Sequence, residues 1–488
     1  MQFPFGPLAP DATEMEPGIC VVANGVLPLR TGYGPAPSLV VSGTATALPA
    51  APRGVQSIVL NSGTWKVYAF TASDIYELQS DDTWLSLGGA FTLTSGDDWS
   101  SLHFGSYLLA SNTTDGLVSY NVEAPAGFTS ISDAGDPRFI FLCGNMLFGL
   151  DCLDSAGTRN NRLIRNSDFN SFTQWKDGAA DYQPLEDGGA LIAGFAITET
   201  AALVLQSGAV RLIQVGNVGG GALYSLKLVS DGVGSVGARS CVSHDGAVYW
   251  LATDGFCKFT LSGGIETIGA GLIDDYFLGL ADQSALQLVQ GAVDPYQKMI
   301  WWRFKRQGAA SDVVFTDIIG YSLKFQRWVT SNEETSYFAT VATPGITLDS
   351  MDSYGPLDSI TIPLDSRLFQ GGQPVFGALD RNYKFGSFSG GAQAATITTS
   401  TANSDTTGMI SFCTPIDDAA NATVELGVKD VVSGTIAWKT AASKVASGRA
   451  PLRGRGLNIA FRWKCAANET WSFARGIDHV KGATGGPR

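Results

Sequence analysis

Residues 241–257 hold the closest grouping of reactive side chains in the sequence: Cys241, His244 and Cys257. Two thiols and an imidazole are soft ligands for a zinc-type ion, but a closed structural site needs a fourth ligand and usually shows paired spacing. The seven cysteines (20, 143, 152, 241, 257, 413 and 465) stand singly, with no Cys-x-x-Cys pair. Core packing beside a turn explains the grouping better, and free buried thiols are the expected state. With three histidines (His103, His244 and His479), general-base chemistry has few candidates. "GVGSVG" (232–237) has the G-x-G-x-x-G form, yet strand-like "ARSCVSHDGAVYW" follows it. No helix start is therefore offered to a phosphate, and a glycine turn is the reading. G-x-S-x-G, Walker A and H-E-x-x-H sequences are absent. Acids sit in turn-like clusters ("SDD", "SGDD", "DSMDS", "IDD"), where solvated loops account for them. A glycosidase-type carboxylate pair stays open. The expectation is a protein without catalytic residues, cofactor or metal.

The elements around these residues read as strands. In "SHDGAVYWLATDGFCKFTLSGG" (243–264), Asp245-Gly246 and Asp254-Gly255 punctuate two apolar runs, as in consecutive hairpins with type I′-like turns. "SHDGAVYW" approaches the Asp box of sialidase-type propellers but lacks the residue between Asp and Gly. Glycine is abundant, at 58 of 488 residues, while charged residues make up 16%, a balance that favours turns over helices. Similar hairpin cores begin near residues 65, 106, 145, 201, 246 and 298. That spacing suits four-stranded blades, so the chain is expected to be all-β: a β-propeller of about six divergent blades over 55–345. Residues 271–289 carry the one helical period, a short insertion. Residues 1–54 read as an extended Pro/Gly-rich arm, 346–374 as a linker with four Asp-Ser dipeptides, and 375–488 as a β-sandwich-like domain. That last domain has room for a final blade or a return to the propeller.

Charge is unevenly spread. The net charge is −13, yet residues 439–488 hold ten Lys/Arg against two Asp/Glu, leaving +8 there and −21 elsewhere. Phosphate binding over the whole surface does not fit that balance. The basic tail reads as a solvated or partner-facing region. The opening residues have neither the charged n-region nor the apolar h-region of a secretory signal. No run of eighteen apolar residues occurs, so no membrane insertion is expected.

Three stretches together resemble one family. They are "FGPLAPDATEMEPGICVVANGVLPLRTGYGPAPSLV" near the start, "NRLIRNSDFNSFTQWKDGAADYQPLEDGGALIAGFAITETAALVLQSGAVRLIQV" (161–215), and the end regions "LDSITIPLDSRLFQGGQPVFGALDRNYKFGSFSG" and "RGRGLNIAFRWKCAANETWSFARGIDHVKGATGGPR". In order and joint occurrence they are similar to the tail hub or nozzle proteins of short-tailed bacteriophages, also called DNA-stabilisation or head-completion proteins. The resemblance implies a virion tail protein, made in the cytoplasm of a bacterial host. It implies a homohexamer below the portal and adaptor rings, with contacts to tail fibres or a needle, through which genomic DNA passes. An acidic lumen would repel phosphates during transport, and Asp81, Asp82, Asp97 and Asp98 are the expected lining. The arm, with Phe3, Phe5, Leu8 and Tyr33, is expected to bind a neighbouring subunit or the adaptor. Arg449, Arg453, Arg455 and Arg462 are expected to meet an acidic partner. Two other readings stay open: a glycan-binding or depolymerising tail propeller, and a bacterial scaffold propeller.

Overall fold

The computed structural model describes residues 2–60, 65–216, 223–342 and 374–481. Five consecutive four-stranded antiparallel sheets follow one another along the chain. Their first strands are Gly54–Val59, Ser100–Phe104, Phe139–Cys143, Leu191–Ala196 and Val242–His244. A sixth comprises Gln290–Asp294, Met299–Phe304, Phe315–Ser322 and the first half of the fifteen-residue strand Trp328–Ala342. An even strand count makes every first strand run the same way, the arrangement of propeller blades around an axis. Apolar clusters seal the seams between neighbours. Tyr68 and Phe70 of blade 1 pack with Leu108 and Tyr120 of blade 2, and Leu203 and Leu205 of blade 4 with Val248 and Trp250 of blade 5.

The ring has a seventh blade, one more than the spacing of hairpins suggested. At Thr335 the long strand changes partner: residues up to 335 pair with Phe315–Ser322, and those beyond pair with Pro374–Asp380. Phe385–Ala392 follows, and the outermost strand is Pro37–Val41 from the other end of the chain. The Phe338–Thr340 segment lies between the first strands of blades 6 and 1. Gln290 of blade 6 exchanges two hydrogen bonds with the Phe338 backbone, and the Ser57 hydroxyl of blade 1 donates to the Thr340 carbonyl (2.8 Å). An N-terminal strand thus completes the last blade and ties the ring shut.

Arg303 holds the bend where one strand serves two blades. Its side chain is fully buried and donates to the Thr335, Ser336 and Val313 carbonyls and to Gln290, with its guanidinium 4.3 Å from the Phe315 ring centre. The charge is spread over carbonyl dipoles and an aromatic face.

Residues from 395 onward form a sandwich that shares strands between its layers. The first half of Ala450–Cys465 pairs with Ala402–Asp417, and the second half with Thr423–Lys429 and Ala395–Thr399. The N-terminal region expected to reach a neighbour is instead built into this unit. Gln2–Pro4 pairs with Ala474–Lys481, and Cys20–Asn24 pairs with Ala395–Thr399. Arg327 of blade 6 fastens the same region, donating to the carbonyls of Phe5, Gly6, Leu29 and Gly32 and stacking 4.6 Å from the Tyr33 ring. The helical insertion is one helix, Asp274–Leu280, followed by a 3-10 turn over Gln283–Leu288. The linker 346–374 lies outside the described residues except at its last position.

Candidate functional site

The Cys241/His244/Cys257 grouping resolves into packing. Asp245 and Gly246 have φ of 50° and 72°, the two positive values a type I′ hairpin turn requires, and they join Val242–His244 to Ala247–Ala252. The second Asp-Gly behaves differently. Thr253-Asp254 makes the turn and Gly255 opens the next strand at φ 141°, where a Cβ would lie 2.2 Å from the Asp274 carboxyl. Cys241 and Cys257 lie in the core between blades 4 and 5, and burial pushes their thiols up to about 11 and about 12. Burial and Lys298 hold the half-buried His244 imidazole below its usual range. Among the described residues no three His, Cys, Asp or Glu side chains converge as metal ligands.

Polar groups gather instead at one end of the propeller axis. Because the first strands run in parallel around the ring, residues just ahead of them share one face. Arg53 precedes blade 1, Asp98 precedes blade 2, and Arg239 precedes blade 5. Arg239 donates to both carboxylate oxygens of Asp98, joining blades on opposite sides of a seven-membered ring. Its guanidinium also lies 5.6 Å from the ring centre of Tyr337, on the first strand of blade 7. Burial works against the Arg239 charge, but Asp98 and Tyr337 outweigh it and keep the group above its ordinary range. The Tyr337 hydroxyl is pushed up to about 12, chiefly by burial, with Arg239, Asp98, Arg303 and Arg53 all acting on it. The cluster ties blades 2, 5 and 7 together near the propeller axis.

The four acids expected to line a lumen separate. Asp81 and Asp82 occupy the outer hairpin of blade 1. The Asp81 carboxylate caps Thr83 and the Asp82 carboxylate accepts from the Thr44 hydroxyl. Asp97 is 4% exposed and bound by Arg138 at 3.0 Å and by Thr113. Asp98 is held by Arg239. Asp97 and Asp98 are therefore neutralised structural acids, which corrects the expectation that they present charge to passing phosphates. The arm residues are corrected in the same way. Phe3, Phe5, Leu8 and Tyr33 are buried in the protein's own core, Phe3 with its ring 4.9 Å from that of Phe461, so none is free to reach a neighbour.

The basic C-terminal residues divide. Arg462 is engaged by Glu425 at 3.1 Å and lies 3.8 Å over the Trp438 ring. Arg453 and Arg455 are exposed, alternating along one strand with buried Leu452 and Gly456 and flanked by exposed Pro451 and Leu457. Met409 pairs across the ladder with Arg455, and Phe412 pairs with Pro451, while Arg449 covers the Phe412 ring at 4.5 Å. Ile416, on the same strand and the same face, is also exposed. This outer face of the sandwich mixes Met, Leu, Ile and Phe with three arginines, the composition of interface cores rather than of an ordinary surface. Sequence reasoning found its arginines; the apolar half is visible only once the Ala402–Asp417 register is known.

The seven four-stranded blades and the appended sandwich define an all-β propeller protein. In fold it is similar to a streptogramin B lyase (13% identity, 70% of this chain and 95% of that one, TM-score 0.41). It is also similar to the virginiamycin B lyase of Staphylococcus aureus (12%, 60% and 87%, TM-score 0.37) and to YCF48 bound to a D1 peptide (14%, 43% and 64%, TM-score 0.31). At these identities the likeness extends to the fold alone. No protein-family model and no curated protein matches the chain.

Proposed function

We propose that this protein is a structural component of a short-tailed bacteriophage tail, a ring-forming propeller set below the portal and adaptor, without an active site of its own. The sequence resemblance suggests this role, and one structural observation supports it: the exposed apolar and arginine-rich face of the sandwich around Met409, Arg453, Arg455 and Leu457. Such a face on a chain whose first 438 residues carry a net −21 suits contact with an acidic surface on a second copy or on the adaptor. The Arg239–Asp98 pair, which ties blades 2 and 5 together, suits a rigid scaffold. In this reading genomic DNA passes through the bore of the assembled ring, not through the propeller. Electron microscopy of the purified protein mixed with the adaptor ring of a short-tailed phage tests the proposal. Coaxial rings on the adaptor are expected; propellers that never associate with it at any ratio overturn the reading.

A further inference from the structure

A second feature shares no residue with the Arg239–Asp98 cluster or with the arginine-rich sandwich face. Where blade 6 meets the sandwich, a single hydrogen-bonded surface runs from one into the other. Ile319 pairs with Thr330, Thr330 with Asn24, and Asn24 with Thr396. One step along, Phe304 pairs with Asp317 and Asp317 with Asn332. The helix Asp274–Leu280 stands over this surface, and between them is a cleft of about 330 Å³. Its floor is apolar, with Phe277, Phe304 and Ile319 buried, while Tyr276, Arg306 and Asn332 are exposed at its rim.

The polar groups around the cleft have hydrogen-bonding capacity to spare. The Thr330 hydroxyl shares its one proton between the Ala23 carbonyl (3.3 Å) and the Asn24 Oδ1 (3.1 Å), so the Asn24 amide keeps hydrogen-bonding capacity for a ligand. The Tyr276 hydroxyl feels both Arg306 and Asp317, and Asn332 and Thr396 line the same cleft. Asp317 faces Arg306 at 3.6 Å, longer than a hydrogen bond, and acts on the Tyr276 hydroxyl as well. These groups are open to solvent or half-buried, so water meets them in the free protein and a polar ligand entering the cleft would take its place.

We propose that this cleft binds a neutral saccharide unit. The Arg306–Asp317 pair has no net charge, so it favours neither an anion nor a cation, yet it offers a fork of donors beside two acceptor oxygens. That is the complement of adjacent hydroxyls, each of which both donates and accepts. Asn24 and Thr396 within the cleft and Asn332 at its rim extend the same pattern. The exposed Tyr276 ring supplies a flat apolar face for the C–H side of a pyranose. The volume lies at the small end of the range for ligand sites, which suits a sugar unit rather than a large cofactor. The inference is independent of the tail assignment, because the cleft belongs to one chain.

Saturation-transfer NMR on the full-length protein tests it, with glucose, galactose and N-acetylglucosamine as probes, and lactose and chitobiose as chain-like counterparts. Transfer to at least one probe is expected, with an affinity on the order of 1 mM. Tighter binding of a disaccharide than of its monosaccharide would identify a site for chain glycans; equal binding would identify a free-sugar site. Asp317→Asn should weaken binding about tenfold with thermal unfolding unchanged. Asn332→Ala, at the exposed rim, provides a second variant with no packing role and should also weaken it. No transfer from any probe, or transfer that both variants leave unaltered, overturns the proposal.

Discussion

Replacing Asp98 tests whether the ion pair across the axis holds the propeller together. The Arg239 and Asp98 side chains are 11% and 26% exposed, and the contact uses both carboxylate oxygens. Breaking a fully buried pair by removing one partner costs about 3–5 kcal/mol. Discounting for the water that still reaches Asp98 gives about 2–4 kcal/mol for Asp98→Asn. The two ends should not be equivalent. Without Asp98, the cations of Arg239 and buried Arg303, which already repel each other, lose the nearby anion. Without Arg239 that repulsion disappears, so Arg239→Gln should cost about 1 kcal/mol less than Asp98→Asn. Urea unfolding followed by tryptophan fluorescence reads both, and a double-mutant cycle should return a coupling of about 2 kcal/mol. A coupling under about 0.5 kcal/mol, or Arg239→Gln being the more damaging change, would refute the reasoning.

Three further outcomes follow from particular contacts. Arg303→Met should destabilise by about 2–4 kcal/mol, because the Thr335 and Ser336 carbonyls lose their donor at the bend into blade 7; differential scanning calorimetry measures the loss. Gly386→Ala would place a Cβ 2.6 Å from the Val40 carbonyl oxygen, against backbone that has little room to give. It should cost about 1–3 kcal/mol and expose residues 37–53 to limited proteolysis; an unaltered cleavage pattern would contradict the closing role of that strand. Burial raises the Asp274 carboxyl to about 6, with Asp11 and Asp275 adding to the rise. Its folded value exceeds its unfolded one, so the stability it contributes is present in full below about pH 4 and is lost as pH rises through about 6. Asp274→Asn should therefore gain on the wild type by about 2 kcal/mol between pH 4.5 and 7, read from paired denaturation curves.

The blades legible in the sequence were those built from contiguous hairpins. Asp245-Gly246 shows why: its turn chemistry is local, and the runs on either side alternate or are apolar within a few residues. Blade 7 had no such signal. Its strands come from 37–41, 335–342 and 374–392, and the long strand that feeds it shows no break at Thr335, where its partners change. Arg303, which fixes that bend, reads in sequence as one cation in "WWRFKR". The arm carried a usable clue, since Phe3 and Phe5 alternate as in a half-buried strand, but Pro and Gly around them masked it. Asp97 and Asp98 were misread for a different reason. "SGDDWS" has the composition of a solvated turn, and the partners that neutralise it, Arg138 and Arg239, lie 41 and 141 residues away. The cleft polar groups come from five separate elements and the turn that carries Arg306, and no spacing in the sequence could gather them.

The mass of the purified protein in solution tests the central claim most directly. A ring-forming tail component should sediment, alone or on addition of the adaptor, as a closed multiple of the 51.4 kDa chain, six copies giving about 308 kDa. Arg453→Glu with Arg455→Glu should return it to the single-chain mass. A wild-type protein that stays at 51.4 kDa at every concentration, with and without the adaptor, would contradict the account.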